Sequence, residues 1–227
     1  MEPLHCIPES VLEFLLDLKE NNDRDWMQVH KKRYQANEKL FKNFCLNVEQ
    51  GLNTTDTIEK LKIFRINRDI RFSKNKTPYN VHRSASFSRA GAHLRGGYYL
   101  RIASGNSLMG GGFFNPEPAD LFRIRKEFEI DDREIRQILN QTAFKKAFGG
   151  FNEEHQVKTA PKGFSKEHPA IDLIRKKAFF VSKSYTDQEI TNAHFLDQLL
   201  ADYKLLRPFF NYMSDVLTTD LNGESIL

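Results

Sequence analysis

Residues 64–72 read FRINRDIRF and alternate between apolar and polar side chains. Successive side chains of an extended strand point in opposite directions, so the two Phe and two Ile of this stretch share one face. Arg68 is the exception, because the alternation places its charge on the apolar face, where it needs a carboxylate or a ligand. The pattern predicts a β-strand that runs into a turn near Lys74.

Further strand patterns follow this stretch closely. They lie at residues 85–89, 98–103 and 108–114 and are separated by turns that contain Gly and Ser. Strands in close succession with brief connections favour an antiparallel meander over a βαβ array. We therefore expect an antiparallel sheet of about four or more strands over residues 62–114.

Helical patterns occupy both ends of the chain. Capping-box spacing predicts helix starts at Ser10-x-x-Glu13, Asp131-x-x-Glu134 and Thr186-x-x-Glu189. One long second helix is expected from Asn22 or Asp23 to near Gly51, another helix over residues 119–128, and a closing helix over 196–217 with a break at Arg207-Pro208. The order of helices, strands and helices predicts the α+β class, with N-terminal and C-terminal helices packed on the sheet in a single domain over residues 1–227.

The composition excludes several classes of protein. Hydrophobic residues make up 40% of the chain and its 19 Phe are spread along it, which argues for a folded core and against disorder. No apolar run is long enough for a membrane-spanning helix, so a membrane partner is not expected. The chain begins without a secretory-signal pattern, and Cys6 and Cys45 are too few for a disulfide framework or a four-ligand zinc site. We expect a cytoplasmic protein without a dedicated metal site; the cofactor and the oligomeric state are not indicated.

Positive charge is concentrated in the middle of the chain. Residues 60–101 contain eleven Lys or Arg and a single acidic residue, Asp69, so this segment carries +10. The whole chain carries +4, which leaves −6 for the remainder. Such concentration of charge raises the local concentration of anions and points to an anionic partner.

The cations around the predicted turn form the candidate binding site. Arg offers a planar fork of donors and Lys a mobile point charge, and both suit the phosphate group. Interleaved aromatic residues, Phe64 and Phe72 among them, would also allow base stacking, although aromatic residues of strands are often core residues. We predict a phosphate-bearing ligand, nucleic acid or nucleotide, at residues 65–83. The candidate ligand-binding residues are Arg65, Arg68, Arg71, Lys74, Lys76 and Tyr79.

Three other interpretations stay open. A phosphoester-processing enzyme could use His82 or Asp69 for proton transfer while the cations stabilise transition-state charge. A protein-interaction module could dock an acidic partner on the same face. The cations could also form a solvated strand face that pairs with the acidic remainder of the chain.

A run of three glycines, residues 110–112, ends the last predicted strand before a helix. Gly111 and Gly112 are candidate ligand-binding residues, because bare backbone N–H groups near a helix start can approach an anion. The run lacks the Lys-Ser/Thr of a phosphate-binding P-loop. A bulge or close sheet packing is the favoured explanation of the run.

Four blocks, in order along the chain, carry a resemblance to a known family. They are NNDRDWMQVHKKRY (21–34), FRINRDIRFSKNKTPYNVH (64–82), GGYYLRIASGNSLMGGGFFNPEP (96–118) and APKGFSKEHPAIDLIRKKAFFV (160–181). Over about residues 10–215 the chain resembles the domain of unknown function 2461 family of bacterial and fungal proteins. The resemblance implies a single-domain protein but no established reaction, cofactor or catalytic residue. The chain departs from the family pattern at Met27, where a second aromatic would follow Trp26, and at Asn115, where a His is typical.

Overall fold

A computed structural model describes residues 4–220 and 222–227 of the protein. The β-strands in chain order are Ile58–Ile63 (β1), Arg83–Arg89 (β2), Gly97–Ile102 (β3), Ser107–Phe113 (β4) and Phe179–Tyr185 (β5). Among the described residues they form one five-stranded antiparallel sheet in the order β1-β2-β3-β4-β5. The α+β class and the antiparallel meander are confirmed. The sequence did not reveal β5, which lies far from the other strands along the chain.

Helices precede the sheet, separate β4 from β5 and close the chain. They are Glu9–Glu20 (α1), Arg24–Val29 (α2), Lys31–Leu52 (α3), Pro118–Ile130 (α4), Arg133–Asn140 (α5), Thr142–Phe148 (α6), Ile171–Ile174 (α7), Asp187–Thr191 (α8), Phe195–Lys204 (α9) and Arg207–Thr218 (α10). Within the described part of the chain, none of these helices combines the length and the apolar character that crossing a membrane requires.

The chain divides into two compact units, each assembled from separate stretches. The first unit comprises residues 4–88, 99–109 and 184–201, and the second comprises residues 89–98, 110–183, 202–220 and 222–227. The single domain expected from the sequence stays a prediction.

The core of the first unit is built on the N-terminal helices. α3 packs against α1, α2 and β1. Phe41 and Phe44 of α3 are fully buried, and the Phe44 ring stacks on Phe195 with centroids 5.6 Å apart. Burial of a Phe side chain stabilises a fold by roughly 1.5–3 kcal/mol, so these rings anchor α3 in the unit.

The core of the second unit is an aromatic cluster around α10. Tyr98 of β3 meets Tyr203 and Phe210 edge to face, both at 5.0 Å between centroids. α10 also packs against α4 and α5. The break predicted at Arg207-Pro208 is confirmed, because α9 ends at Lys204 and α10 begins at Arg207 with Pro208 in its first turn.

The predicted strand over residues 64–72 is wrong. β1 lies earlier, over Ile58–Ile63, and the FRINRDIRF stretch is irregular. Of its four apolar residues only Ile66 is buried, while Phe72 is 97% exposed. The apolar side chains therefore do not share one buried face. The polar side chains of the stretch bond within the segment instead, as described below.

Two of the three predicted capping boxes do not form, although a helix begins within two residues of each. Ser10 does not cap α1, because the helix already begins at Glu9 with Pro8 as its N-cap; inside the helix, the Ser10 hydroxyl donates to Asn37 Oδ1 at 3.0 Å. Asp131 lies two residues before α5 and accepts from the main-chain N–H of Arg133. The box at Thr186 is confirmed, with both of its reciprocal hydrogen bonds present.

The predicted second helix is two helices, α2 and α3, separated at His30. The cap at its start is confirmed, since Asp23 accepts from the Trp26 N–H at 2.8 Å. The His30 ring stacks on Trp26 with centroids 4.1 Å apart, and its Nδ1 lies 2.8 Å from the Trp26 carbonyl oxygen. These two local contacts hold the chain where the helix is interrupted.

Candidate functional site

Residues 64–82 connect β1 to β2 within the first unit and are called the basic loop here. Its outgoing and returning legs meet where Asn67 and Tyr79 form an isolated antiparallel bridge. The Asn80 N–H donates to the Ile66 carbonyl at 2.7 Å beside this bridge. The base of the loop is thus held by main-chain hydrogen bonds, and residues 68–78, between the two bridged residues, form its tip.

Arg68 holds the interior of the basic loop. Its Nη1 donates to the Thr77 carbonyl at 3.1 Å and also to the Thr77 hydroxyl, and its Nη2 lies 3.4 Å from the Ser73 hydroxyl. The side chain therefore cross-links the two legs. Oxygens of the loop take the place of the carboxylate or ligand that the sequence pattern called for.

Arg71 forms a two-point ion pair with Asp69. Nε donates to Oδ1 at 3.0 Å and Nη2 donates to Oδ2 at 2.7 Å. The hydrogen bonds from Arg71 lower the pKa of Asp69, and the electrostatic effect of Arg65 lowers it further. Both partners are exposed. A side chain with a lowered pKa is a weak proton acceptor, which argues against Asp69 as a general base.

The other cations of the basic loop differ in how far they are engaged. The Lys76 ammonium donates to the Ile70 carbonyl at 3.0 Å. Arg65 and Lys74 are exposed, and within residues 4–220 and 222–227 no hydrogen bond or ion pair joins their side chains to the protein. Their donors are the ones most directly available to an anion from solvent.

Phe72 is the most exposed large hydrophobic residue that the structure describes, at 97%. It lies between Arg71 and Lys74 in sequence, and the Arg71 guanidinium carbon is 6.0 Å from its ring centroid. Its ring face is therefore open to solvent next to positive charge. The sequence placed this ring on an apolar strand face.

Tyr79 lies on the returning leg of the basic loop and is half-buried. Its main-chain N–H and carbonyl both bond to the side chain of Asn22, which precedes α2. Its contribution to the site is therefore at least partly structural, because it fixes the loop to the turn between α1 and α2.

His82 is half-buried and lines a cavity of about 180 Å³ in the first unit together with Lys19 and Arg101. Burial lowers the pKa of His82, and the charges of Arg101 and Arg83 lower it further. Asp69 does not line this cavity. The two candidates for proton transfer thus do not share a cavity in the described structure.

Gly111 and Gly112 belong to the second unit, whereas the basic loop belongs to the first. Gly112 has φ +136°, and a Cβ on it would lie 2.2 Å from the Phe179 carbonyl oxygen. A Cβ on Gly111 would lie 2.5 Å from the Leu206 side chain. Both glycines allow close packing of β4 against its neighbours, which is the alternative that the sequence left open.

A larger cleft beside the basic loop was missed from the sequence. It has a volume of about 660 Å³, and Tyr34, Glu38, Arg65 and Arg83 are among its lining residues. The buried Arg83 guanidinium donates to Glu38 Oε1 at 2.6 Å and lies over the Phe41 ring. Burial, and then the charge of Glu38, raises the pKa of Tyr34. The sequence offered one signal for this cleft, the i, i+4 spacing of Tyr34 and Glu38 on α3. That spacing does not show that Arg83, on β2, is the partner of Glu38.

These residues define an α+β protein with a cation-rich loop between the first two strands of its sheet. The loop can offer guanidinium and ammonium donors and one aromatic face to a ligand. Among the described residues, no group of three or more His, Cys, Asp or Glu side chains is arranged to hold a metal ion.

The family model described as "Conserved hypothetical protein (DUF2461)" matches residues 10–212, and the chain belongs to this family. The resemblance found in the sequence is thereby confirmed. No curated protein and no solved structure matches the chain.

Proposed function

We propose that the protein binds nucleic acid at the basic loop, with phosphates on the loop cations and a base stacked on Phe72. The observation that carries the proposal is the 97% exposure of Phe72 within a cationic loop. Aromatic side chains beside a positively charged groove are the usual means of binding single strands, because every base has a π-face. A phosphate alone would leave the Phe72 ring without a role.

The charge of the loop supports this proposal. Residues 64–82 contain five Lys or Arg and one Asp. Arg65 and Lys74 are exposed without a hydrogen bond or ion pair in the described residues. The exposed Arg71–Asp69 pair contributes little to stability, so a phosphate can compete with Asp69 for the guanidinium.

The internal bonds of the loop also support binding. Arg68 cross-links the two legs, and Asn22 fixes the returning leg at Tyr79. A loop held in one conformation before binding loses less conformational entropy when the ligand arrives. Arg68 thus serves the site as a structural cation, while Arg65, Arg71, Lys74 and Lys76 face the ligand.

The test is a binding titration of the full chain with a fluorescent single-stranded oligonucleotide at several salt concentrations. Each lost phosphate contact lowers the steepness of log affinity against log salt by about 0.7 for a single strand, so the Arg65→Gln/Lys74→Gln variant should lower it by about 1.4. Lys158→Gln, which removes an exposed charge outside the loop, is the control.

Two results overturn the proposal. One is the absence of binding at low salt. The other is binding whose salt dependence is the same in the Arg65→Gln/Lys74→Gln variant as in the unaltered chain. Binding of an acidic peptide at the loop without binding of the oligonucleotide would support the protein-interaction alternative. The cytoplasmic location expected from the sequence stays part of the proposal.

A further inference from the structure

A separate cleft in the second unit combines apolar walls with carboxylates. Its volume is about 1020 Å³, and it is lined by residues of α4, α5 and α10 and by residues of the C-terminal segment after α10. Several of its apolar side chains remain open to solvent, with Ile130 63% exposed and Phe122 and Ile226 also exposed. Exposed apolar side chains grouped in one groove are typical of a ligand or partner site.

Three carboxylates in this cleft form no ion pair among the described residues. Glu127, Glu134 and Asp215 line it, and no ion pair joins any of them to the described residues. Burial, followed by the charges of Asp131 and Glu134, raises the pKa of Glu127. Neighbouring carboxylates therefore repel the Glu127 charge, and a bound cation would offset this repulsion.

The two cations of the cleft, Arg123 and Lys126, already have partners in the protein. Arg123 donates to the carbonyls of Val216, at 2.6 Å, and Thr219. Lys126 pairs with Glu129 at 2.6 Å, and its ammonium lies 4.9 Å from the Phe164 ring centroid. Arg123 acts to lower the pKa of Glu127, but burial and the neighbouring carboxylates raise it by more. The carboxylates that line the cleft outnumber these two cations, so the cleft keeps an excess of negative charge.

The hydroxyl of Tyr212 is an independent sign of a ligand site. Tyr212 is only 5% exposed and lines the cleft, yet its hydroxyl makes no hydrogen bond within the described residues. A buried hydroxyl left without a partner costs about 1–3 kcal/mol, so such groups are rare without a reason. An ammonium group of a ligand could donate to this oxygen.

We infer that this cleft binds a linear aliphatic polyamine. The ammonium groups would bind Glu127, Glu134 and the Tyr212 oxygen, and the methylene segments would lie along Ile130 and Val216. The ligand combines charged and apolar segments, as the walls of the cleft combine carboxylates and apolar side chains. The inference does not depend on the proposed nucleic-acid site, since all its residues belong to the second unit.

Isothermal titration of the full chain with spermidine at low salt tests this inference. We expect saturable binding, and no binding of a neutral aliphatic diol of similar length. Glu127→Gln and Glu134→Gln should each weaken spermidine about tenfold or more, because each removes a charge-assisted hydrogen bond. Tyr212→Phe should weaken it about three- to tenfold. Glu13→Gln, which changes an exposed carboxylate of α1, is the matched control and should bind like the unaltered chain.

Three results overturn the inference: no saturable binding of spermidine, equal binding of the diol, or Glu127→Gln and Glu134→Gln variants that bind as tightly as Glu13→Gln. Thermal unfolding of each variant shows whether it folds. If Glu127→Gln is unfolded, the exposed Glu134 carries the test, because a substitution at an exposed helix position leaves the core intact.

Discussion

The side chain of Asn22 bonds to both main-chain groups of Tyr79. Asn22 Nδ2 donates to the Tyr79 carbonyl at 3.0 Å, and the Tyr79 N–H donates to Asn22 Oδ1 at 3.1 Å. An amide side chain here bonds as a neighbouring strand would, across 57 positions of sequence. The basic loop is therefore fixed at its returning leg by one residue outside the loop.

Replacement of Asn22 by Ala should loosen the basic loop without unfolding the first unit. Two hydrogen bonds are lost, so the free energy of local opening should fall by about 1–3 kcal/mol. Hydrogen exchange at the main-chain amides of Tyr79 and Asn80 measures this. Asn21→Ala is the control, because within the part of the chain that the structure describes the Asn21 side chain bonds only to the Asp17 carbonyl of α1. Equal amide protection in the two variants would contradict the role assigned to Asn22.

Replacement of Phe72 by Ala should weaken oligonucleotide binding by about 1–3 kcal/mol, the contribution of one stacked base. The thermal midpoint should hardly change, because the ring is exposed. Phe72→Trp should retain binding. Phe114→Ala, which removes another exposed ring, controls for a general loss of apolar surface. Unchanged affinity in Phe72→Ala would remove the stacking part of the proposal and leave only the phosphate contacts.

Local signals in the sequence predicted the structure correctly where the residues of the motif interact with one another. The Thr186 capping box and the break at Arg207-Pro208 depend on a few adjacent residues, and both are confirmed. The box at Ser10 failed because α1 begins one residue earlier, at Glu9, so Ser10 lies inside the helix. Its hydroxyl there donates to Asn37, 27 positions away, and a capping motif does not contain such a tertiary contact.

In the candidate site, too, the sequence revealed local features but not tertiary contacts. The sequence showed where the cations are concentrated, but not which of them the protein itself uses. Arg68 and Thr77 bond because the chain reverses between them, and a strand pattern gave no sign of that reversal. The pair of Glu38 and Arg83 joins a helix to a strand, so neither local sequence contains the signal. β5 pairs with β4 across a long helical stretch, and its partner was equally hidden.

Replacement of Gly112 by Ala should be strongly destabilising. The substitution combines a φ of +136° with a Cβ 2.2 Å from the Phe179 carbonyl oxygen, and we expect a loss of about 2–5 kcal/mol. Gly105→Ala is the matched control, because Gly105 also has a positive φ but nothing within 4 Å of a Cβ, and it should cost about 1–2 kcal/mol. Urea unfolding gives both values. Similar losses in the two variants would show that backbone conformation, not packing against β5, makes glycine necessary in β4.

Acid destabilisation of the protein should depend on His82. Its pKa is lowered by burial and by Arg101 and Arg83, so the folded state binds its proton less readily than the unfolded state, where the ordinary value is 6.5. As the pH falls below about 6.5, the unfolded state takes up the proton first and stability declines until the pH drops below the folded pKa. Above that window both states are neutral and His82 contributes no pH dependence.

A His82→Gln variant should therefore lose less stability than the unaltered chain as the pH falls through this window. Urea unfolding at a series of pH values measures the difference, and an NMR titration of the His82 imidazole gives its pKa directly. Arg101→Gln should move that pKa back toward 6.5, because it removes one of the repelling charges, and should narrow the window accordingly. An imidazole that titrates at or above its ordinary value would contradict this account, since neither burial nor the two guanidinium groups could then be acting on it.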